Sequence, residues 1–173
     1  MNKDSNTTLT HRVELLAEAL LAQRLTLSTA ESCTGGWIAQ VCTELAGSSH
    51  WFQGGIVSYS NAAKISLLRV PEDDLYTQGA VSQRVAEAMA IGARRALDSD
   101  LSVAVTGVAG PDGGSAEKPV GTVWLAWGNA ARQYSRRVKF EGDRHAVRQQ
   151  TVALALDLLL AFVKENPEGI GNQ

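Results

Sequence analysis

Between Thr10 and Gln23 the apolar residues Val13, Leu16 and Leu20 recur at helical spacing, so this stretch is predicted to be an amphipathic helix. The mostly polar residues 1–9 before it are expected to form a flexible leader. "LTLSTA" (25–30) alternates and favours β structure, which predicts a strand. Gly35 to Ala46 then reads as a helix closed by Gly47, and "GGIVSYS" (54–60) as a second strand. Ser60 or Asn61 offers an oxygen to the free amides of a short helix over 61–68. Pro71 opens a polar turn or short helix. Ser82 caps a longer helix running to about Leu97, with Val85, Met89, Ala93 and Ala96 on one face.

The second half changes character. "LSVAVT" (101–106) predicts a third strand, running into a loop with Gly107, Gly110, Gly113 and Gly114 and stiffened by Pro111 and Pro119. "VGTVWLAW" is apolar on both faces, as in a central strand. "RQYSRRVKF" alternates, with Tyr134, Val138 and Phe140 one way and Gln133, Arg137 and Lys139 the other. That is the pattern of a half-solvated edge strand, joined by "GNAA" as the second arm of a hairpin. Asp143 caps a last helix in which Val147, Thr151, Leu154, Leu158 and Ala161 repeat. The expected organisation is one α/β domain over 10–164, with a mixed sheet flanked by helices, followed by a flexible tail over 165–173.

Composition narrows the function. The chain has 173 residues, of which 45% are hydrophobic and 20% charged, which suits one soluble domain with its own core. A formal net charge of -2 gives no basic excess, so a nucleic-acid partner is not expected. Cys33 and Cys42 make no disulfide framework, and the scattered His11, His50 and His145 make no metal-ligand pattern. The polar N-terminus lacks the apolar run of a signal peptide, and "VALALDLLLAFV" is short for a membrane span and contains Asp157. A cytoplasmic protein with no membrane partner is expected.

Candidate chemistry centres on "STAESCTGG" (28–36), where a predicted strand meets a predicted helix. Amides at a helix start lack partners and carry partial positive charge, so such a turn can bind an anion or an oxyanion. Alternatively, Thr34 simply caps the helix and Gly35 and Gly36 simply turn the chain. Ser32 and Cys33 are both candidate nucleophiles. The elbow G-x-S-x-G is absent. A serine needs a base, and no histidine is well placed. Lys64, in the first turn of the short helix, could serve as a neutral amine if it is buried near the positive helix end; otherwise it is a solvated helix lysine. Ser115-Ala-Glu-Lys118 matches S-x-x-K, but it falls in a loop between Gly114 and Pro119 and not on one helix face. "TGVAGPDGGS" (106–115) fits neither nucleotide-binding glycine pattern, though its glycines can let backbone approach a ligand.

Six segments occur in an order that resembles the C-terminal domain of the competence/damage-inducible CinA proteins. They are "AESCTGG" (30–36), "GSS-WF-GGIVSYSNAAK" (47–64, apart from His50 and Gln53), "GAVS" (79–82), "TGVAGPDGGS" (106–115), "KPVGTVW" (118–124) and "GDRHAVR" (142–148). The likeness spans about Leu9 to Lys164. Stand-alone members of that family are nicotinamide-nucleotide amidases of the PncC type. The resemblance implies a three-layer α/β/α domain, a homodimer, no metal and no cofactor. It implies deamidation of nicotinamide mononucleotide to nicotinate mononucleotide and ammonia. It further implies Ser32 as nucleophile, Lys64 as its base, and Tyr59 and Thr106 as catalytic partners. Arg144 is then expected on the substrate's phosphate, with Gly35, Gly36, Gly107 and Gly110 lining the pocket. Two other readings stay open: a pyridine-nucleotide-binding module without turnover, and a hydrolase that uses Cys33.

Overall fold

The structure is a computed structural model that describes residues 3–166, with side chains from residue 9 onward. In chain order its elements are α1 (Lys3–Gln23), β1 (Leu27–Glu31), α2 (Trp37–Glu44), β2 (Phe52–Val57), α3 (Asn61–Leu68), α4 (Glu72–Gln78) and α5 (Gln83–Ala96). There follow β3 (Leu101–Gly107), β4 (Thr122–Gly128), β5 (Gln133–Lys139) and α6 (Arg144–Glu165). The strands form one sheet in the order β2-β1-β3-β4-β5. β1 pairs in parallel with both β2 and β3, whereas β3–β4 and β4–β5 are antiparallel, so the sheet is mixed.

Alternation along the strands sorts side chains into two cores. Leu27, Leu101, Val103, Val105, Val123 and Leu125 face the layer of α1, α2 and α6. On the other face Ala30, Ala104 and Ala126 lie beneath α5, which answers with Ala86, Ala90 and Ala93. Small residues on both sides let α5 sit close to the sheet; the Ser102 hydroxyl donates to the Ala90 carbonyl at 2.8 Å. The domain is therefore three layers, helices–sheet–helices, as expected. α6 is long and apolar enough by composition to cross a membrane. Here Val147, Val152, Leu156, Leu159 and Val163 are buried in the domain core.

The predicted elements all occur, with shifted ends. α1 begins at Lys3, within the stretch read as a leader, and Leu9 is buried in the core. Residues 1–2 of that leader and 167–173 of the tail lie outside the described residues. α2 starts two residues later than predicted because Gly35 and Gly36 adopt positive φ, 63° and 95°, outside helical geometry. β2 ends at Val57, three residues early, and the released residues turn into the Ser60 cap of α3. β5 is an edge strand as predicted, and its Ser135 and Gln133 side chains donate to Glu87 of α5.

This topology places the candidate site. β2 lies on one side of β1 and β3 on the other, so the chain leaves β1 and returns beyond it in the opposite direction. In open parallel sheets the crevice at such a switch, outside the strand carboxyl ends, is where ligands bind. Ser32 follows β1, Tyr59 follows β2, and Thr106 lies near the end of β3.

Candidate active site

The turn after β1 is bonded on several sides. The Ser32 amide donates to the Val105 carbonyl at 3.0 Å, which continues the β1–β3 pairing by one residue. The Gly35 amide then closes back on the Ser32 carbonyl at 3.1 Å. Glu31, fully buried, accepts from the Thr34 hydroxyl at 2.6 Å and from the amides of Gly36, Ile38 and Ala39 at 3.1, 3.0 and 2.8 Å. From α6, Arg148 donates to the carbonyls of Cys33 and Thr34 at 3.1 and 2.8 Å, and its guanidinium lies 5.4 Å from the centre of the Trp37 ring.

Lys64 comes to this turn from α3. The α3 start is set by Ser60, whose side chain accepts from the Ala63 amide at 3.1 Å. The Lys64 side chain runs inward and is 1% exposed. Its Nζ stands 3.0 Å from Ser32 Oγ and donates to the Ser58 and Tyr59 carbonyls at 2.7 and 3.4 Å. Burial lowers the Lys64 pKa below its ordinary value, because the ammonium loses its water. Negative charge on Cys33 would act the other way. That thiol is itself pushed up to about 12, chiefly by burial and further by the Glu31 charge, so at neutral pH it carries none. A neutral amine has two N–H groups and one lone pair. In its neutral form the amine gives those two N–H groups to the carbonyls and offers its lone pair to the Ser32 hydroxyl, whereas as an ammonium it donates to Ser32 Oγ as well.

The remaining predicted residues fall into two groups. Tyr59, Arg144 and Gly110 meet at the rim: Arg144 donates from Nη1 to the Gly110 carbonyl at 2.7 Å and from Nη2 to the Tyr59 hydroxyl at 3.3 Å. The Tyr59 ring is exposed, so Tyr59 reaches Lys64 only through its backbone carbonyl. Thr106 is buried and its hydroxyl donates to the Ala80 carbonyl at 2.9 Å. Gly107 packs against β4 and Gly110 against the loop before it: a Cβ would stand 2.7 Å from the Val123 side chain at the first and 2.5 Å from that of Val120 at the second. Gly35 and Gly36 border an open cleft of about 470 Å³ with Trp37, His145 and Arg148. Among the described residues no cluster of His, Cys, Asp and Glu could hold a metal ion. Two residues that sequence reasoning passed over, Glu31 and Arg148, turn out to hold the turn together.

The sequence matches the family model of the CinA C-terminal domain over residues 9–163. It is 56% identical to the nicotinamide-nucleotide amidohydrolase PncC of Pseudomonas putida, over 94% of this chain and 99% of that protein. The PncC protein of Escherichia coli K12 is 53% identical, over 84% and 89% of the two chains. Among solved structures, a CinA superfamily protein from Klebsiella pneumoniae superposes with a TM-score of 0.88 at 34% identity, covering 91% of this chain and 98% of that one. With both its sequence and its α/β/α architecture matched over nearly their full length, the chain belongs to the CinA C-terminal domain family.

Proposed function

We propose that this chain is a nicotinamide-nucleotide amidohydrolase that deamidates nicotinamide mononucleotide by a serine–lysine mechanism, acting in the cytoplasm as a homodimer. The names of its curated relatives support the reaction class. The observation that carries the mechanism is the 3.0 Å approach of Ser32 Oγ to an amine that is 1% exposed. Neutral Lys64 takes the Ser32 proton as Oγ attacks the carboxamide carbon. The new N–H then joins two already held by carbonyls, so the ammonium formed is fully hydrogen-bonded where it stands. Collapse of the tetrahedral intermediate breaks the C–N bond, and Lys64 returns the proton to the departing ammonia. Water, deprotonated by the same amine, cleaves the Ser32 ester and gives nicotinate mononucleotide.

The developing oxyanion needs donors that are free. The Gly36, Ile38 and Ala39 amides are held by Glu31 and the Gly35 amide by Ser32, whereas the Thr34 amide donates to no acceptor among the described residues and the Cys33 amide lies only against its own thiol. Those two, next to the nucleophile, take the role first assigned to the glycine turn. Arg144 is assigned to the nucleotide phosphate, since a guanidinium fork matches phosphate oxygens; its position at the rim beside Tyr59 and Gly110 supports this. Purified protein given nicotinamide mononucleotide should release ammonia and nicotinate mononucleotide in equal amounts. Thermal stabilisation by the nucleotide with no ammonia released would instead favour the binding module.

A further inference from the structure

Glu31 adjoins the nucleophile, yet none of the steps above uses its atoms. It is 0% exposed and pairs with no cationic side chain among the described residues. All its partners are donors. Oε2 accepts from Thr34 Oγ1, Gly36 N and Ile38 N, and Oε1 accepts from Ala39 N and, at 3.4 Å, from Thr29 Oγ1. Five donors and no acceptor is the pattern of a carboxylate. Burying one without a cation is costly, so an arrangement that keeps it should have a use beyond capping.

An ordinary cap would not need Glu31. α2 has Gly36 at its N-cap, with no side-chain cap of its own, and its amides are served from a strand residue five positions upstream. This ties the end of β1 directly to the start of α2. The residues between, Ser32 to Gly35, must then loop outward between two fixed ends, and the Thr34–Glu31 bond at 2.6 Å anchors the loop from inside. The same bonds occupy the helix-start amides that would otherwise attract an anion, and leave those of Cys33 and Thr34.

We propose that Glu31 is a positioning residue for the hydrolytic reaction: it holds Ser32 Oγ against Lys64 Nζ and reserves the Cys33 and Thr34 amides for the oxyanion. The proposal rests on the amidohydrolase reading. Glu31→Gln keeps the shape but turns an N–H₂ group toward donors. Thr34→Val removes one hydroxyl bond and leaves the charge. For each variant kcat, KM, the melting temperature and the rate of Ser32 labelling by phenylmethanesulfonyl fluoride would be measured. E31Q should lower kcat by about 10–100-fold with KM within about threefold, and T34V should lower kcat by about three- to tenfold, since bonds to charged groups are the stronger kind. Labelling should slow in step with kcat. A folded E31Q with wild-type kcat and labelling, or with a rise in KM alone, overturns the proposal; if E31Q does not fold, T34V decides by the same criteria. Wild-type protein that labels but releases no ammonia sinks the amidohydrolase reading, and labelling of the variants then still tests Glu31. Wild-type protein that does neither overturns both.

Discussion

Ser32 and Lys64 are 32 residues apart in sequence and 3.0 Å apart in space. Ser115 and Lys118 are three residues apart and fit a known serine–lysine spacing, yet they do not meet as nucleophile and base. The Ser115 hydroxyl accepts from the Lys118 backbone amide at 3.1 Å, while the Lys118 amine turns away to the Gln78 carbonyl. Ser115 is exposed and Lys118 half-buried, whereas Ser32 and Lys64 are both buried. The difference is solvent. Burial lowers the Lys64 pKa, which favours the neutral amine that the proposed mechanism needs, and the fold brings that amine to Ser32 Oγ. Spacing helps only where a shared helix face enforces contact. Here the contact is made by the fold, because two strand ends bring α3 and the β1 turn together.

The largest effect expected from breaking the buried pair is that of Ser32→Ala, which removes the attacking oxygen. Ammonia release should fall by at least ~10³-fold with the protein still folded, as measured by single-turnover assay and melting temperature. Full activity in S32A, together with inactivation by a thiol alkylator, would move the chemistry to Cys33. That outcome runs against the raised pKa of the Cys33 thiol and its place in the core. Lys64→Met should come next, also at or near ~10³-fold, because Oγ then has no base.

The Lys64 pair also predicts a pH dependence. With its folded pKa below 10.5, kcat/KM should rise with pH through that lowered value and level off before 10.5. Stability follows the same group. Below the folded pKa the native state holds a buried ammonium, and its full cost is present. Between the folded pKa and 10.5 the unfolded chain binds more protons than the native one, so stability rises with pH. Wild-type melting temperature should therefore climb relative to K64M across that window. Parallel curves would mean that burial leaves the Lys64 titration unshifted, and the proposed base would lose its physical support.

What could be read from the sequence was what is local. Ser82 and Asp143 cap α5 and α6 as predicted, and Ser60, one of the two residues offered for α3, caps that helix, because a cap bonds an amide three residues away. The mixed sheet was legible from the run of elements, and Ser32 and Lys64 from the turn and the family segments. The burial of Lys64 was not, since one polar residue in a short helix has no pattern of its own. Glu31 was hidden for a related reason: a glutamate ending a strand normally points to solvent. Its role depends on where the α2 amides arrive, and that depends on the positive φ of Gly35 and Gly36. Arg148 reaches its carbonyls across 115 and 114 residues, a separation that no local signal spans.

The smallest effect expected is at Ser115 and Lys118, and it tests the comparison from the other side. Lys118 ties the loop after β3 to the end of α4 through Gln78, and Arg137 holds the same loop through the Glu117 carbonyl. Lys118→Met removes one of two tethers, both near solvent. Exposed contacts of this kind shift stability by no more than ~0.5 kcal/mol. Ser115→Ala removes a hydroxyl whose one bond is to an exposed backbone amide that water can serve instead. Both variants should keep kcat within about twofold, with KM rising at most about threefold if the loop loosens over the rim where Gly110 meets Arg144. The readout is the same ammonia assay used for S32A and K64M. A kcat collapse in K118M with K64M active would mean that the sequence spacing, and not the buried contact, marks the catalytic lysine. Near-wild-type K118M beside inactive K64M would tie catalysis to the buried amine that meets Ser32 Oγ and not to the Ser-x-x-Lys spacing.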